Sequence, residues 1–157
     1  MPGFDSIIDQ ERPLRALRIL LSHGTIPHAL LFTGIEGVGK RSAAVAFAMA
    51  CNCRSPLGTD PCGACSACRR IAADTHPDML RVGPSGTQIK IDQIRELCRT
   101  LGMKPYEARV RVAIIADAHR MNAAAGNALL KMLEEPPAGT VLILTALQAA
   151  DLLPTVV

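Results

Sequence analysis

The chain has 157 residues, 49% of them hydrophobic but with only three Phe, one Tyr and no Trp, so it can bury one sizeable core built mainly from aliphatic side chains. A formal charge of +3, spread over scattered basic residues, gives no argument for nucleic-acid binding by itself. No apolar run reaches the roughly 18 residues of a membrane span, and no secretion signal opens the chain, so we expect a cytoplasmic protein without a membrane partner.

Helices and strands are predicted to alternate along the chain. In order they are a helix capped by Asp9 and ending near His23, a strand at 29–33, a helix at 40–50, a short helix at 66–73, a strand at 79–82, a helix at 91–101 capped by Asp92, a strand at 110–116, a helix from Asn122 to 135, and a strand at 140–145. Parallel strands need connections of about this length. The pattern therefore predicts an α/β fold with a parallel sheet.

Residues 34–42 read GIEGVGKRS, and the first seven match the phosphate-binding loop G-x-x-x-x-G-K. Its glycines let backbone amides turn toward phosphate oxygens, and Lys40 adds a full positive charge. The alternative is a glycine-rich turn with a stray lysine. Because a predicted strand precedes the loop and a helix follows it, we favour a nucleotide site. Its predicted residues are Gly34, Gly37, Val38, Gly39, Lys40, Arg41, Ser42 and Asp117.

Arg41 stands where an active nucleotide hydrolase of this kind has Ser or Thr, whose hydroxyl binds Mg²⁺. A guanidinium has no acceptor and repels a cation, by roughly 4 kcal/mol per unit charge at 4 Å and a dielectric near 20. Arg41 therefore either swings away or contacts phosphate, and Ser42 points about 100° elsewhere on the helix. We expect weak ATP or ADP binding and no magnesium-dependent chemistry.

The strand at 110–116 ends in Asp117, Ala118 and His119. In hydrolysing relatives of such loops the aspartate supports the metal and a following glutamate polarises water, but Ala118 has neither acid nor base to offer. His119 is expected to be a structural hydrogen-bond partner. We therefore predict no catalytic residues.

Cys53, Cys62, Cys65 and Cys68 have the spacing C-x8-C-x2-C-x2-C. Four thiolates on a short loop suit structural Zn²⁺, since a closed four-cysteine shell leaves no open position for catalysis. An iron–sulfur cluster fits the C-x2-C-x2-C run as an alternative, and disulfides are disfavoured without a secretion signal. Cys51 competes with Cys53 for the first ligand position. Cys98 lies on an apolar helical face and is expected in the core.

The segments HALLFTGIEGVGK, CGACSAC, THPD, NALLKMLEEPP and LLPTVV, in this order, resemble subunits of the bacterial DNA polymerase III clamp loader. The resemblance implies a P-loop AAA+ module over residues 1–157, with a five-stranded parallel sheet flanked by helices and a zinc-binding insertion at about 51–70. Lid and collar domains, which the family carries further along, are expected to be missing from what looks like an N-terminal fragment. The family's polar sensor falls at Thr145 or Ala146.

Two kinds of clamp-loader subunit share these motifs. The gamma/tau motor subunits keep a Thr after the lysine and an Asp-Glu pair, so Arg41 and Ala118 favour the delta-prime kind. The resemblance implies a non-hydrolysing subunit that braces a hetero-pentamer with gamma/tau and delta and helps to load the sliding clamp onto primed DNA. As part of the polymerase holoenzyme it would itself have neither ATPase nor polymerase activity. The alternatives are an active ATPase motor subunit and a stand-alone nucleic-acid-binding zinc module.

Overall fold

The computed structural model describes residues 11–23, 26–34, 39–53, 60–104 and 109–147, which form one parallel sheet covered by helices on both faces. The helices and strands are α1 Glu11–His23, β1 Ala29–Thr33, α2 Lys40–Asn52, α3 Ser66–Ala72, β2 Met79–Val82, α4 Ile91–Leu101, β3 Arg111–Ile115, α5 Ala123–Glu134 and β4 Thr140–Ala146, with a 3-10 turn at Ala118–Arg120. The α/β prediction is confirmed. Among these residues no helix is long and apolar enough to cross a membrane.

The sheet has four strands in the order β1-β4-β3-β2, and all neighbours are parallel. The expectation of five strands is wrong for the described residues. The hydrophobic pattern predicts these four strands, whereas the fifth came from the family resemblance alone. The central strands β3 and β4 are buried at every position, while Leu31 on the edge strand β1 is 36% exposed.

Alternate residues of the central strands face two separate cores. Val141 and Ile143 of β4 point to the side covered by α1, α2 and α3, where Phe47 is fully buried. Leu142 and Leu144 point to the other side, which α4 and α5 cover. This is why the strands are continuous apolar runs rather than alternating ones, since a parallel sheet with helices on both faces exposes neither.

The ends of two helices test the predicted caps. Asn122 caps α5 as predicted, because its Oδ1 accepts from the backbone N–H of Ala125 at 2.8 Å. Asp92 does not cap α4, because the helix begins at Ile91 and Asp92 already lies in its first turn. Lys90 holds the cap position, and its N–H donates to Oε1 of Gln93 at 2.8 Å. Asp9 lies outside the described residues.

A buried charge network holds the start of β2 against β3 and α4. Nε of Arg111 lies 3.8 Å from Oδ1 of Asp78, and both side chains are almost fully buried. Arg111 also donates to the carbonyls of Thr100, at 2.9 Å, and Met103, at 2.6 Å, at the end of α4. Nδ1 of His76 accepts from the N–H of Asp78 at 3.1 Å. The histidine and aspartate of the THPD segment therefore belong to the fold's interior.

Candidate nucleotide pocket and candidate metal centre

A cavity of about 400 Å³ opens where β1, β3 and β4 end at the same edge of the sheet. Its walls are Gly39, Lys40, Arg41, Ser42, Ala116, Asp117 and Thr145. Crevices beyond the carboxyl ends of parallel strands are where open α/β sheets bind ligands. The structure thus brings five of the predicted nucleotide-site residues together here, with Gly34 nearby after β1, while Gly37 and Val38 lie outside the described residues.

Two glycines shape the entry to this pocket. Gly39 precedes α2 with φ of 96°, a left-handed conformation that a residue with a Cβ rarely adopts. The N–H of Gly34 donates to the carbonyls of Ala146, at 3.2 Å, and Leu147, at 3.1 Å. These bonds join the end of β1 to the end of β4 and so fix the first residue of the phosphate loop.

The ammonium group of Lys40 is engaged with the backbone. Nζ donates to the carbonyl of Gly34 at 2.6 Å and to the carbonyl of Ala146 at 3.1 Å, which lie on the segments leaving β1 and β4. A phosphate group entering the pocket would compete with these two carbonyls for the lysine. Lys40 therefore links the edge strand β1 to its neighbour β4, and we call its two hydrogen bonds the clasp.

This clasp predicts that Lys40 contributes to stability in the absence of nucleotide. Replacing Lys40 with methionine should lower the free energy of unfolding by about 1–3 kcal/mol, because two carbonyls lose a charged donor. Urea unfolding of nucleotide-free protein measures this. The matched control is Lys131→Met on the exposed part of α5, which should change stability little. Equal stability of the two variants would show that the clasp has no energetic weight.

Asp117 and Thr145 meet across the end of the sheet. The N–H of Asp117 donates to Oγ1 of Thr145 at 3.0 Å, and Asp117 adopts a left-handed conformation with φ of 54° that is uncommon for a residue other than glycine. Of the two sensor candidates, the buried Thr145 lines the pocket, while Ala146 contributes its carbonyl to Lys40. The sequence alone carried no signal for this contact.

Among the described residues that line the pocket, Asp117 is followed by no second carboxylate. Ala118 is buried at the start of the 3-10 turn and belongs to the core under α4 and α5. His119 does not line the pocket. The expectation that it serves as a structural hydrogen-bond partner is not met at Nδ1, which is buried without a hydrogen bond to the described part of the chain. The described part of the pocket therefore combines two cationic side chains with the single carboxylate of Asp117.

The four predicted metal ligands converge. The Sγ atoms of Cys53, Cys62, Cys65 and Cys68 all lie within 4.8 Å of one another. Tetrahedral zinc with Zn–S bonds of about 2.3 Å separates its sulfurs by about 3.8 Å, so the cluster fits such an ion. Cys51 is not in this group. It lies within α2 and faces the core, where burial raises its pKa to about 12.

Backbone N–H groups surround the sulfurs of this cluster. Sγ of Cys62 accepts from Ala64, at 3.4 Å, and Cys65, at 3.3 Å, which lowers the pKa of Cys62. Sγ of Cys53 accepts from the N–H of Cys62 at 3.3 Å, and Sγ of Cys65 from that of Cys68 at 3.4 Å. Burial raises the pKa of Cys68. A metal would therefore have to displace protons from this centre.

Asn52 fixes the first ligand to the sheet. Its Nδ2 donates to the carbonyls of Val110, at 2.9 Å, and Ala48, at 3.1 Å, and its Oδ1 accepts from the N–H of Val110 at 3.0 Å. Asn52 is buried and is the last residue of α2, directly before Cys53. The sequence pattern predicted that this helix ends at residue 50, but it ends two residues later, at Asn52, whose side-chain bonds stabilise the last turn.

The sequence relatives of the chain are DNA polymerase III subunits. A profile of the family described as DNA polymerase III, delta subunit matches residues 9–157. The delta' subunit of Pseudomonas aeruginosa is 40% identical over 131 residues, covering 82% of this chain and 40% of that relative. The tau subunit of Escherichia coli (strain K12) is 37% identical over 134 residues, covering 85% and 21%. The chain spans less than half the length of these relatives.

Solved structures agree with this grouping. A gamma subunit-related protein of DNA polymerase III from Thermotoga maritima is 25% identical with a TM-score of 0.61, covering 94% of this chain and 43% of that one. The Holliday junction branch migration motor RuvB of Thermotoga maritima, at 16% identity and a TM-score of 0.63 over 99% of this chain and 44% of its own, shares the fold. The family match, the relatives and the motif order agree, and the chain belongs to the DNA polymerase III delta subunit family.

Proposed function

We propose that residues 1–157 are the AAA+ portion of a DNA polymerase III clamp-loader subunit that does not hydrolyse ATP. The observation that carries the proposal is the composition of the pocket. Arg41 occupies the wall where a metal-binding hydroxyl is required, and the residue after Asp117 is the buried Ala118. The same sequence departures favour the delta-prime kind of subunit over gamma/tau.

The pocket fits a phosphate group better than a magnesium ion. Lys40 and Arg41 are cationic donors at its wall, whereas Asp117 is the one carboxylate among the lining residues. Magnesium needs several oxygen ligands in octahedral array, and an arginine supplies none. ATP or ADP therefore binds weakly and without dependence on Mg²⁺. Lys40 orients the bound phosphates when it leaves its two carbonyls, and the described wall holds no carboxylate besides Asp117 that could take a proton from water.

The cysteine cluster is proposed to hold one structural zinc ion within the module at about 51–70. The donor set consists of four sulfurs with N–H groups directed at three of them, and it leaves no open ligand position. When bound, zinc would supply a cross-link between the end of α2 and the start of α3. An iron–sulfur cluster is the alternative occupant of the same four ligands.

The role of such a subunit is positional. We infer assembly with gamma/tau and delta subunits in a hetero-pentamer, with the sliding clamp and primed DNA reached through that complex in the cytoplasm. A nucleic-acid-binding zinc module is less favoured, because residues 51–70 contain no aromatic side chain on which bases could stack.

The decisive experiment is steady-state ATP turnover by the full-length protein, alone and in the reconstituted complex. We expect turnover by the isolated protein to equal that of its Lys40→Ala variant, since neither can organise a metal and a water. In calorimetric titrations, ATP affinity should differ by less than about tenfold between Mg²⁺ and EDTA, because Arg41 replaces the ligand that couples metal to nucleotide. Turnover that depends on Lys40, or a hundredfold gain in affinity with Mg²⁺, would instead establish the motor-subunit alternative.

A further inference from the structure

A second, smaller cavity adjoins the nucleotide pocket at the ends of β2 and β3. Its volume is about 160 Å³, and we call it the arginine cavity. Its walls are Arg41, Arg81, Val82, Gly83, Ile114 and Ala116. Because Arg41 and Ala116 line both cavities, the two are neighbours along the same edge of the sheet.

Two arginines from different elements line the arginine cavity. Arg41 comes from the first turn of α2, and it forms no hydrogen bond or ion pair with another residue in the described part of the chain. Arg81 comes from β2, and its Nε pairs with Oδ1 of Asp74 at 3.1 Å, a carboxylate that is not part of the cavity wall. The other four wall residues are uncharged, so the described wall of the cavity carries two cationic residues and no carboxylate.

We propose that the arginine cavity binds a phosphate-like oxyanion without any metal ion. Guanidinium groups present several N–H donors in a planar fork, which matches the oxygens of a phosphate in a bidentate way. Lys40 is occupied by carbonyls in the neighbouring pocket, so Arg41 is the cation most available to it. This assignment does not rest on the clamp-loader role, since it needs only the two side chains and the cavity.

Two sources provide this chemistry, namely free inorganic phosphate and the terminal phosphate of a nucleotide in the adjoining pocket. The test titrates inorganic phosphate, ADP and ATP separately into full-length protein by calorimetry, in EDTA at constant ionic strength. The key variant is Arg81→Gln. The matched control is Arg95→Gln on α4, an exposed arginine outside both cavities.

For a free-phosphate site, Arg81→Gln should weaken the binding of inorganic phosphate at least about tenfold. The affinities for ADP and ATP should then change by the same factor as each other. For a terminal-phosphate site, the same change should weaken ATP by that factor while ADP is spared. In both cases Arg95→Gln stays within about twofold of the parent protein. Absence of phosphate and ATP binding by folded parent protein in EDTA would overturn the proposal, as would unchanged affinities in Arg81→Gln.

A second variant separates binding from folding, because Arg81→Gln also breaks the pair with Asp74. Asp74→Asn removes the same ion pair but keeps both arginines, and asparagine tolerates the left-handed backbone found there, with φ of 59°. We expect Asp74→Asn to bind the anion at least as tightly as the parent protein. If it loses binding to the same extent as Arg81→Gln, the effect is structural and the proposed site is wrong. The proposed function is tested by ATP turnover, which these titrations do not measure. Failure of the anion site and failure of the proposed function can therefore be told apart.

Discussion

Replacing Cys53 with alanine should abolish metal binding, whereas the same change at Cys51, two residues earlier, should leave the metal in place. Both side chains are buried, but of these two cysteines only Cys53 contributes its sulfur to the four-sulfur cluster. We expect zinc content to fall from about one per chain to near zero in Cys53→Ala, with a loss of several kcal/mol of stability in zinc-replete buffer. Cys51→Ala should cost about 1 kcal/mol through a small cavity.

Atomic emission on purified protein and thermal unfolding with and without a chelator make this measurement. Metal affinity should fall as the pH falls. Burial raises the pKa of Cys68, so its proton must leave when metal binds, and acid favours the protonated, metal-free form. Retention of full zinc content by Cys53→Ala, or its loss in Cys51→Ala, would mean that the ligand set is assigned wrongly. Iron in place of zinc would identify the alternative cluster.

Replacing Arg111 with methionine should destabilise the fold by about 3–5 kcal/mol, because it leaves a buried carboxylate without its cationic partner. Asp78 lies 3.8 Å from the guanidinium with a side chain only 4% exposed. The carbonyls of Thr100 and Met103 each lose the donor that Arg111 supplies in the same variant. Urea unfolding of the single variants and of Arg111→Met combined with Asp78→Asn forms a double-mutant cycle, which isolates the coupling between the two charges.

The comparison for this prediction is Arg99→Met on α4. Arg99 pairs with Glu96 as well, but both side chains are more than half exposed, so water and salt screen the pair and little stability should be lost. Two results would show that the buried network does not hold β2, β3 and α4 together. One is a loss of stability in Arg111→Met no larger than that in Arg99→Met. The other is a loss in the double variant equal to the sum of the losses in Arg111→Met and Asp78→Asn.

Local pattern determined most of the elements. Four apolar runs became the four strands, and Asn122 capped its helix as predicted. The spacing of Cys62, Cys65 and Cys68 predicted that their sulfurs lie together, because side chains this close in sequence converge without help from the rest of the fold. The replacement at Arg41 was equally visible, since the residue type alone decides whether an oxygen ligand for a metal is present.

Tertiary structure decided the contacts between residues that are far apart in sequence. Lys40 reaches the carbonyl of Ala146, 106 residues away, and Asp117 meets Thr145, 28 residues away. The choice of Cys53 over Cys51 as the first ligand depended on which of the two sulfurs lies beside those of the other three cysteines. Short-range patterns report backbone preference and burial, whereas a side chain's distant partner depends on how the strands are ordered in the sheet. That order brings the ends of β1, β3 and β4 together to form the pocket.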